Sequence, residues 1–412
     1  MTSARLRDKT GLLCFVVSSL VMSSWSATAA TLPEGTCYGL PSKVVTPGFS
    51  YDVVTTSPEE VKSDLFRLWD ENLQLPVKPE ERFNWLYRDA PEPAQIVFVL
   101  RARNGDGATR AVGTNGITVR RFQLGAGVEG RAAVSGDLAV ELAHRGLLPA
   151  LRLVRAVREL AEKDFDLTYG FPNKKAEGVM ARAGFHVLGK TTRYARVLRH
   201  APYIEKVVER LALPPNVARV VSDDRVVRAL GPVADVGRLV RGAPSFARAR
   251  ARYTLEWPRT FDDRFDALWR AARRDYDVVG CRTSTFLRWR YPECRFATLV
   301  RKDDRSLAAY AIIEQDAETG AAHLRDVFGH KEALGPLVDL LLPALWRRGA
   351  ASVSVRFLGA PYFAEVLQAR EFEPRGEHRT VVVQTGGSME VERARDAKDA
   401  QRWHLFDIDE DA

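Results

Sequence analysis

Cysteine is scarce in this chain: four in 412 residues, at Cys14, Cys37, Cys281 and Cys294. None stands in a Cys-x-x-Cys pair and no histidine cluster lies beside one. Neither a disulfide scaffold nor a metal site is therefore expected, and the thiols read as buried or incidental. Long apolar runs are also rare. The one that stands out, GLLCFVVSSLVM, is too short to span a bilayer comfortably. It follows Arg5, Arg7 and Lys9, and Ala27-Thr28-Ala29 after it has the form of a signal-peptidase site. Residues 1–45 thus carry three readings: a signal peptide, a membrane tether, or an extended start outside the working protein. RNA-binding aromatic signatures and zinc-finger spacings are absent. The net charge of +8 then favours anionic ligands, with no nucleic acid expected.

What is present is an ordinary globular composition, 46% hydrophobic and 28% charged, in a chain too long for one core. From Tyr51 to Leu198 short strands alternate with amphipathic helices. Ser57-Pro58-Glu59-Glu60 reads as a helix start, with Ser57 as N-cap and Glu60 at N3. Val61, Leu65, Leu68 and Trp69 then fall on one face. Ile96–Leu100 is a short apolar strand. Residues 200–255 are Arg- and Val-rich, broken by Pro214-Pro215 and Gly231-Pro232, and read as a basic linker with short helices. Membrane association through this linker or the N-terminus is not favoured.

From Glu256 the pattern returns. FDALW at Phe265–Trp269 echoes LFRLW at Leu65–Trp69, FLRWRYP at 286–292 echoes FNWLYRDAP at 83–91, and HLRDVFG around Asp326 echoes SGDLAVE around Asp137. The preserved order points to a tandem repeat. The expected fold class is α/β (α+β), two tandem units, each a mixed central sheet flanked by helices. The expected divisions are 46–199, 200–255 and 256–386, with 387–412 an acidic disordered tail ending in DIDEDA.

The stretch SGDLAVELAHRGLLPALRL carries the chemistry. It reads as a strand, a turn at His144-Arg145-Gly146, and a helix. Helix N-termini hold unpaired N–H donors and partial positive charge, a natural seat for a pyrophosphate. Gly146 lets the backbone come close, Pro149 fits the first turn, and Arg145 and Arg152 add charge. A plain capping turn is the alternative. Asn173-Lys174-Lys175-Ala176 follows, then Gly184-Phe185.

Strand, Arg-x-x-Leu-x-Ala loop, helix, strand, Asn-x-x-Ala helix and Gly-Phe, in that order, resemble the GCN5-related N-acetyltransferase superfamily. The match covers about Tyr51–Leu198, and the whole resembles bacterial two-domain members with a WRY-type motif in the second unit. The resemblance implies acetyl-CoA as co-substrate. Its pyrophosphate would lie on Arg145, Gly146, Leu147, Leu148, Pro149 and Ala150. Leu138, Ala139 and Val140 would offer backbone groups to the pantetheine and thioester, and Asn173 and Ala176 would face the pantetheine arm. Leu148 replaces the family's central glycine. Met180 stands where many members carry the tyrosine that protonates the leaving thiolate, for which Tyr169, Tyr194 or water would substitute. Asp137 and Glu141 are the nearby carboxylates for a general base, Asp137 having strand-edge hydrogen bonding as its alternative. Trp289, Arg290 and Tyr291 would line an acceptor cleft at the domain junction or, for Trp289, pack in an interface. The resulting expectation is a cytoplasmic acyl-CoA-dependent N-acyltransferase acting on a small amine, amino sugar or amino acid. The alternatives are a non-catalytic binding scaffold and a peptidoglycan-type aminoacyl-tRNA-dependent transferase, and export or a membrane tether for location.

Overall fold

The computed structural model describes residues 49–125, 127–199 and 242–411. The N-terminal segment 1–45 and most of the basic linker lie outside the described residues. Among the described residues no helix is long and apolar enough to cross a membrane.

The first unit runs β1 (Ser50–Thr56), α1 (Lys62–Asn72), α2 (Pro79–Phe83), β2 (Ile96–Arg103), β3 (Thr109–Leu124), β4 (Glu129–Val140), α3 (Leu147–Asp164), β5 (Leu167–Gly170), α4 (Lys174–Arg182) and β6 (His186–Val197). The second runs α5 (Ala243–Arg252), β7 (Tyr253–Glu256), α6 (Asp263–Ala272), β8 (Val278–Gly280), α7 (Ser284–Arg290), β9 (Arg295–Arg301), β10 (Leu307–Gln315), β11 (Ala321–Gly329), α8 (Lys331–Arg347), β12 (Ser352–Gly359), α9 (Pro361–Gln368) and β13 (Glu373–Thr385). After it come α10 (Val391–Asp396) and the short β14 (His404–Leu405). The second unit therefore already includes residues 243–255, which the sequence reading gave to the linker.

Strand β2 shows why the sheet is apolar without interruption. Val97 and Val99 face α1 and α2, where Leu65, Leu68 and Trp69 are fully buried. Phe98, Leu100 and Ala102 face the opposite way, against Val157 and Ala161 of α3. Helices on both faces bury both sets of a period-2 strand. The start of α1 is built differently from the expected capping box. Glu59–Val61 form a 3-10 turn without a side-chain cap, and Ser57 Oγ and Thr56 Oγ1 donate to the Glu60 carboxylate at 2.9 and 2.6 Å.

The strands join one sheet in the order β1-β2-β3-β4-β5-β13-β6-β12-β11-β10-β9-β7, with β8 on β3 and β14 on β12. The two units exchange their last strands. β5 of the first unit is bordered by β13 of the second, β12 of the second by β6 of the first, and β6 and β13 pair antiparallel at the centre. Among the described residues each unit has one parallel strand pair, β4 with β5 and β11 with β12, and each is spanned by a long helix, as a parallel crossover requires.

The expectation of a disordered acidic tail is overturned. Trp403, Leu405, Phe406 and Ile408 are buried, and Asp407, Asp409 and Glu410 are buried with them. Apolar residues between the acids anchor the segment, and arginines from both units receive the carboxylates.

Candidate functional site

Strands β4 and β5 pair only over Ala132–Val134 and Leu167–Tyr169. Beyond that they part, leaving the β4 edge from Ser135 to Val140 without a strand on that side among the described residues. Gly170 lies at the point of divergence, and a Cβ there would stand 2.9 Å from Ser135 O. On its other edge β4 carries a bulge. The register with β3 skips between Thr114 and Gly116, and Asp137 adopts φ 55°, in the left-handed region. Leu138 therefore falls outside the paired register, and the open stretch runs through Ala139 and Val140 to the Leu142–His144 3-10 turn and the mouth of α3.

That mouth is uncapped. Gly146 is extended and no side chain accepts from the first turn. Arg145 reaches back, its Nε donating to Val140 O at 3.0 Å and its Nη2 to Asn72 Oδ1 at 3.1 Å. Arg152 donates to Tyr51 O. Among the described residues neither arginine has a carboxylate partner, so both charges stand uncompensated beside the positive helix pole. Leu148 is 61% exposed, so the side chain that replaces glycine points into solvent, while Pro149 is buried and Ala150 packs inward. The equivalent mouth in the second unit is closed. Asp275 Oδ2 accepts from Lys331 N at 3.3 Å, and Glu332 sits in the first turn of α8. Carboxylates occupy the place an anion would need. Asp275, His330 and Glu332 bring ligand-type atoms within 4.8 Å of one another there, though Arg301 already pairs with Glu332 at 3.1 Å.

The expected catalytic side chains are all engaged. Asp137 accepts from Arg82 Nε and Tyr87 OH, each at 2.8 Å, an arrangement presented by α2 and the π-helical turn Asn84–Arg88 after it. Its strand-edge bonding role is thus filled. Glu141 is clasped by Arg110 and Arg67. Burial alone would raise its pKa, and the two arginines outweigh that and hold it below the usual carboxylate range. Tyr169 is fully buried and donates to Asp409 O at 2.9 Å. Burial, with the Asp409 carboxylate nearby, pushes its hydroxyl well above the ordinary range. Tyr194 lies on β6 in the exchanged part of the sheet, opposite Val355. Met180 is core, packed with Leu151, Val154, Phe185 and Val382. Asn173 caps α4, its Oδ1 accepting from Lys175 N and Ala176 N at 3.0 Å, so that oxygen is used by the backbone. Ala176 is half-buried at the same helix start.

At the junction of the units, Trp289 stacks on Trp85 with centroids 5.5 Å apart, and its Nε1 donates to Trp85 O at 2.8 Å. It is interface packing. Arg290 and Tyr291 instead line an open cleft of about 990 Å³ together with Trp85, Arg325, Arg356 and Arg379. The C-terminal segment forms one side of it. Asp407 binds Arg325, Arg356 and His323 at 3.1, 2.9 and 2.6 Å. Asp409 takes a two-point contact from Arg282 at 2.8 and 2.7 Å, and Asp411 meets Arg120 and Thr118. Arg82 closes the circuit, donating to Asp411 O at 2.6 Å while holding Asp137.

Arg282 also faces Asp326 at 3.2 Å, and Tyr310 OH donates to Asp326 at 2.6 Å. Asp326 Oδ1 is buried without a partner. Burial, reinforced by Asp409, pushes this carboxyl up from 3.8 to about 6. Its folded pKa lies above the unfolded one, so its contribution to stability is full below about pH 4. It is lost as pH rises through about 6, a change on the order of 3 kcal/mol. Urea midpoints from pH 4 to 7 should show that loss, and Asp326→Asn should flatten it. Parallel profiles for the two proteins would refute the assignment.

By sequence alone the chain matches no family model and no curated protein. Its fold does match solved structures. A probable N-acyltransferase from Enterococcus faecalis aligns with TM-score 0.54 at 12% identity, over 82% of this chain and 73% of that one. A GCN5-related N-acetyltransferase from Anabaena variabilis gives 0.54 at 12%, over 85% and 75%. Another from Kribbella flavida gives 0.52 at 14%, over 82% and 73%. The chain has the GCN5-related N-acetyltransferase fold. In that acetyltransferase fold the diverging strand pair and the uncapped helix mouth belong to the first unit, while the second supplies the WRY helix α7 and the arginine-lined wall. Sequence reading missed Arg82, Tyr87, Arg120 and Arg282. The one signal available for them was the alternation of acids with apolar residues in FDIDED, which marks a segment with a buried face.

Proposed function

We propose that the first unit binds an acyl-CoA, acetyl-CoA being the expected donor, and transfers the acyl group to an amine seated at the junction with the second unit. The observation that carries this reading is the contrast between the two helix mouths. One is uncapped, flanked by arginines with no carboxylate partner among the described residues and continuous with an open strand edge, and the other is blocked by carboxylates. The exposed edge of β4 offers backbone donors and acceptors to an amide-containing arm, as an unpaired strand edge does for a peptide. In the transfer the amine nitrogen bonds to the thioester carbonyl carbon, the C–S bond breaks, and the nitrogen's proton leaves as the thiol is formed. Leu138, outside the paired register at the bulge, is the residue assigned to offer a backbone donor to the developing oxyanion. Proximity supplies the rest, since acyl transfer to a neutral amine mainly requires positioning.

Arg145→Glu should raise the acetyl-CoA dissociation constant of the full chain tenfold or more, the effect of about 1.4 kcal/mol at an anion site. Lys331→Glu, at the second mouth, should leave it unchanged. Isothermal titration reads both, and an unaltered constant for Arg145→Glu would move the site elsewhere. One observation favours a non-catalytic acyl-CoA binder instead: Asp137, Glu141 and Tyr169 each have their polar atoms taken. Thiol release from acetyl-CoA in the presence of amines separates the two readings.

A further inference from the structure

The cleft at the junction has an unbalanced lining. Five arginines and four carboxylates face it. Three of those carboxylates are already spent: Asp407 on Arg325 and Arg356, Glu314 on Arg325, and Glu410 on Arg379. Among the described residues Arg379 has one carboxylate contact, Nη1 to Glu410 at 2.7 Å, and its side chain is 42% exposed, so the rest of the fork is open to the cleft. Arg295 is exposed and has no carboxylate partner among the described residues. Arg290 is buried, and among the described residues its guanidinium hydrogen-bonds to the main-chain carbonyls of Ile408, Asp407 and Glu410. Burial, with the charge of Arg120 nearby, holds its pKa below the usual value against the opposing pull of Asp411 and Glu410. On the neighbouring rim, burial and the charges of Arg356 and Arg193 hold His378 below the normal imidazole range. A planar guanidinium fork with free donors recognises carboxylate or phosphate by paired hydrogen bonds.

The cleft is also placed for the reaction. Trp85, on its wall, belongs to the same π-helical turn as Tyr87, which grips Asp137 at the β4 bulge. Trp85 and Tyr291 also line the cleft, with the Arg290 guanidinium 4.7 and 5.6 Å from their ring centroids.

We infer that the cleft selects an acceptor amine that itself carries an anionic group, a carboxylate or a phosphate, which the free edge of Arg379 binds. The inference rests on the acyl-transfer reading for what happens to the amine, but not for the binding itself. Matched pairs test it on the full chain: tryptophan against tryptamine for a carboxylate, and glucosamine 6-phosphate against glucosamine for a phosphate. Isothermal titration without acyl donor should give a dissociation constant at least tenfold lower for the anionic member of one pair, and which pair responds identifies the anion. Arg379→Gln should weaken that binding at least fivefold. Glu410→Gln, which releases the arginine from its one partner, should tighten it. Opposite signs from two neighbouring substitutions are not expected of structural damage. Equal or tighter binding of the neutral members, no binding by any of the four, or shifts of the same sign in both variants would overturn the inference. Preference for the anionic member in a protein that fails to bind acetyl-CoA would support the anion site and reject the donor reading.

Discussion

Asp409→Ala should lower the unfolding free energy of the full chain by about 3–5 kcal/mol, the cost of stranding one half of a buried ion pair. Arg282 is fully buried, and its two-point contact with Asp409 at 2.8 and 2.7 Å is the stronger of its ion pairs, the other being with Asp326 at 3.2 Å. In a chain this long the loss corresponds to a melting shift of about 5 °C, since the entropy of unfolding grows with length. The triple change Arg282→Met, Asp326→Asn and Asp409→Leu should recover part of it, because it removes the buried arginine together with both carboxylates that depend on it. Thermal unfolding of the two variants beside the parent protein reads the coupling. If Asp409→Ala melts with the parent protein, the C-terminal segment is not held as described. The same contact gives the segment a positional role. Arg82 holds Asp137 of the β4 bulge with one nitrogen and Asp411 O with another, so the end of the chain is tied to the strand that forms the candidate transfer site.

The second large effect is expected at Gly116. A Cβ at this position would stand 1.9 Å from Tyr87 Oη and 3.0 Å from its Cζ. Tyr87 cannot simply swing away. It is packed between Phe83 and Trp69, at centroid distances of 5.9 and 5.7 Å, and its hydroxyl is bound to Asp137. Gly116→Ala should therefore cost about 1–3 kcal/mol from overpacking and also pull the hydroxyl off Asp137. Tyr87→Phe alone removes a hydrogen bond to a buried carboxylate and should cost about 1.5–3 kcal/mol. Combined, the two should cost clearly less than their sum, because the clashing oxygen is gone. Denaturant midpoints of the four proteins form the cycle. Strict additivity would mean that Tyr87 does not stand where it is described.

The sequence revealed what is local. The strand, turn and helix around Arg145 are punctuated by glycine and proline within a few residues, and β2 and α1 announce themselves by periodicity. The repeat emerged because the same order of aromatic and acidic landmarks recurs in both halves. The electrostatic frame did not emerge, because its partners are far apart in the chain: Arg82 and Asp137 by 55 residues, Arg282 and Asp409 by 127, Arg120 and Asp411 by 291. A run of acids near a chain end has the composition of a solvated tail, and only folding brings arginines to it. Asp137, Glu141 and Tyr169 were named for their place near the open strand. Their engagement by Arg82, Arg110 and Asp409 could be read only from three dimensions. The difference between the helix mouths is an intermediate case. Arg-Gly against Gly-His-Lys-Glu was legible, but Asp275 comes from 56 residues earlier.

The exchange of final strands has a consequence for biosynthesis. Leu167 on β5 waits for Thr385 on β13, so the first half cannot finish its sheet while the ribosome is still translating the second. A chain stopped at residue 199 would present the bare flanks of β5 and β6 to the solvent, a template for association with other nascent chains. Contacts this remote in sequence also slow closure, since the loop entropy must be lost before the pairing rewards it. The two repeats are thus one cooperative unit of manufacture, and neither would be recovered intact by cutting the polypeptide between them.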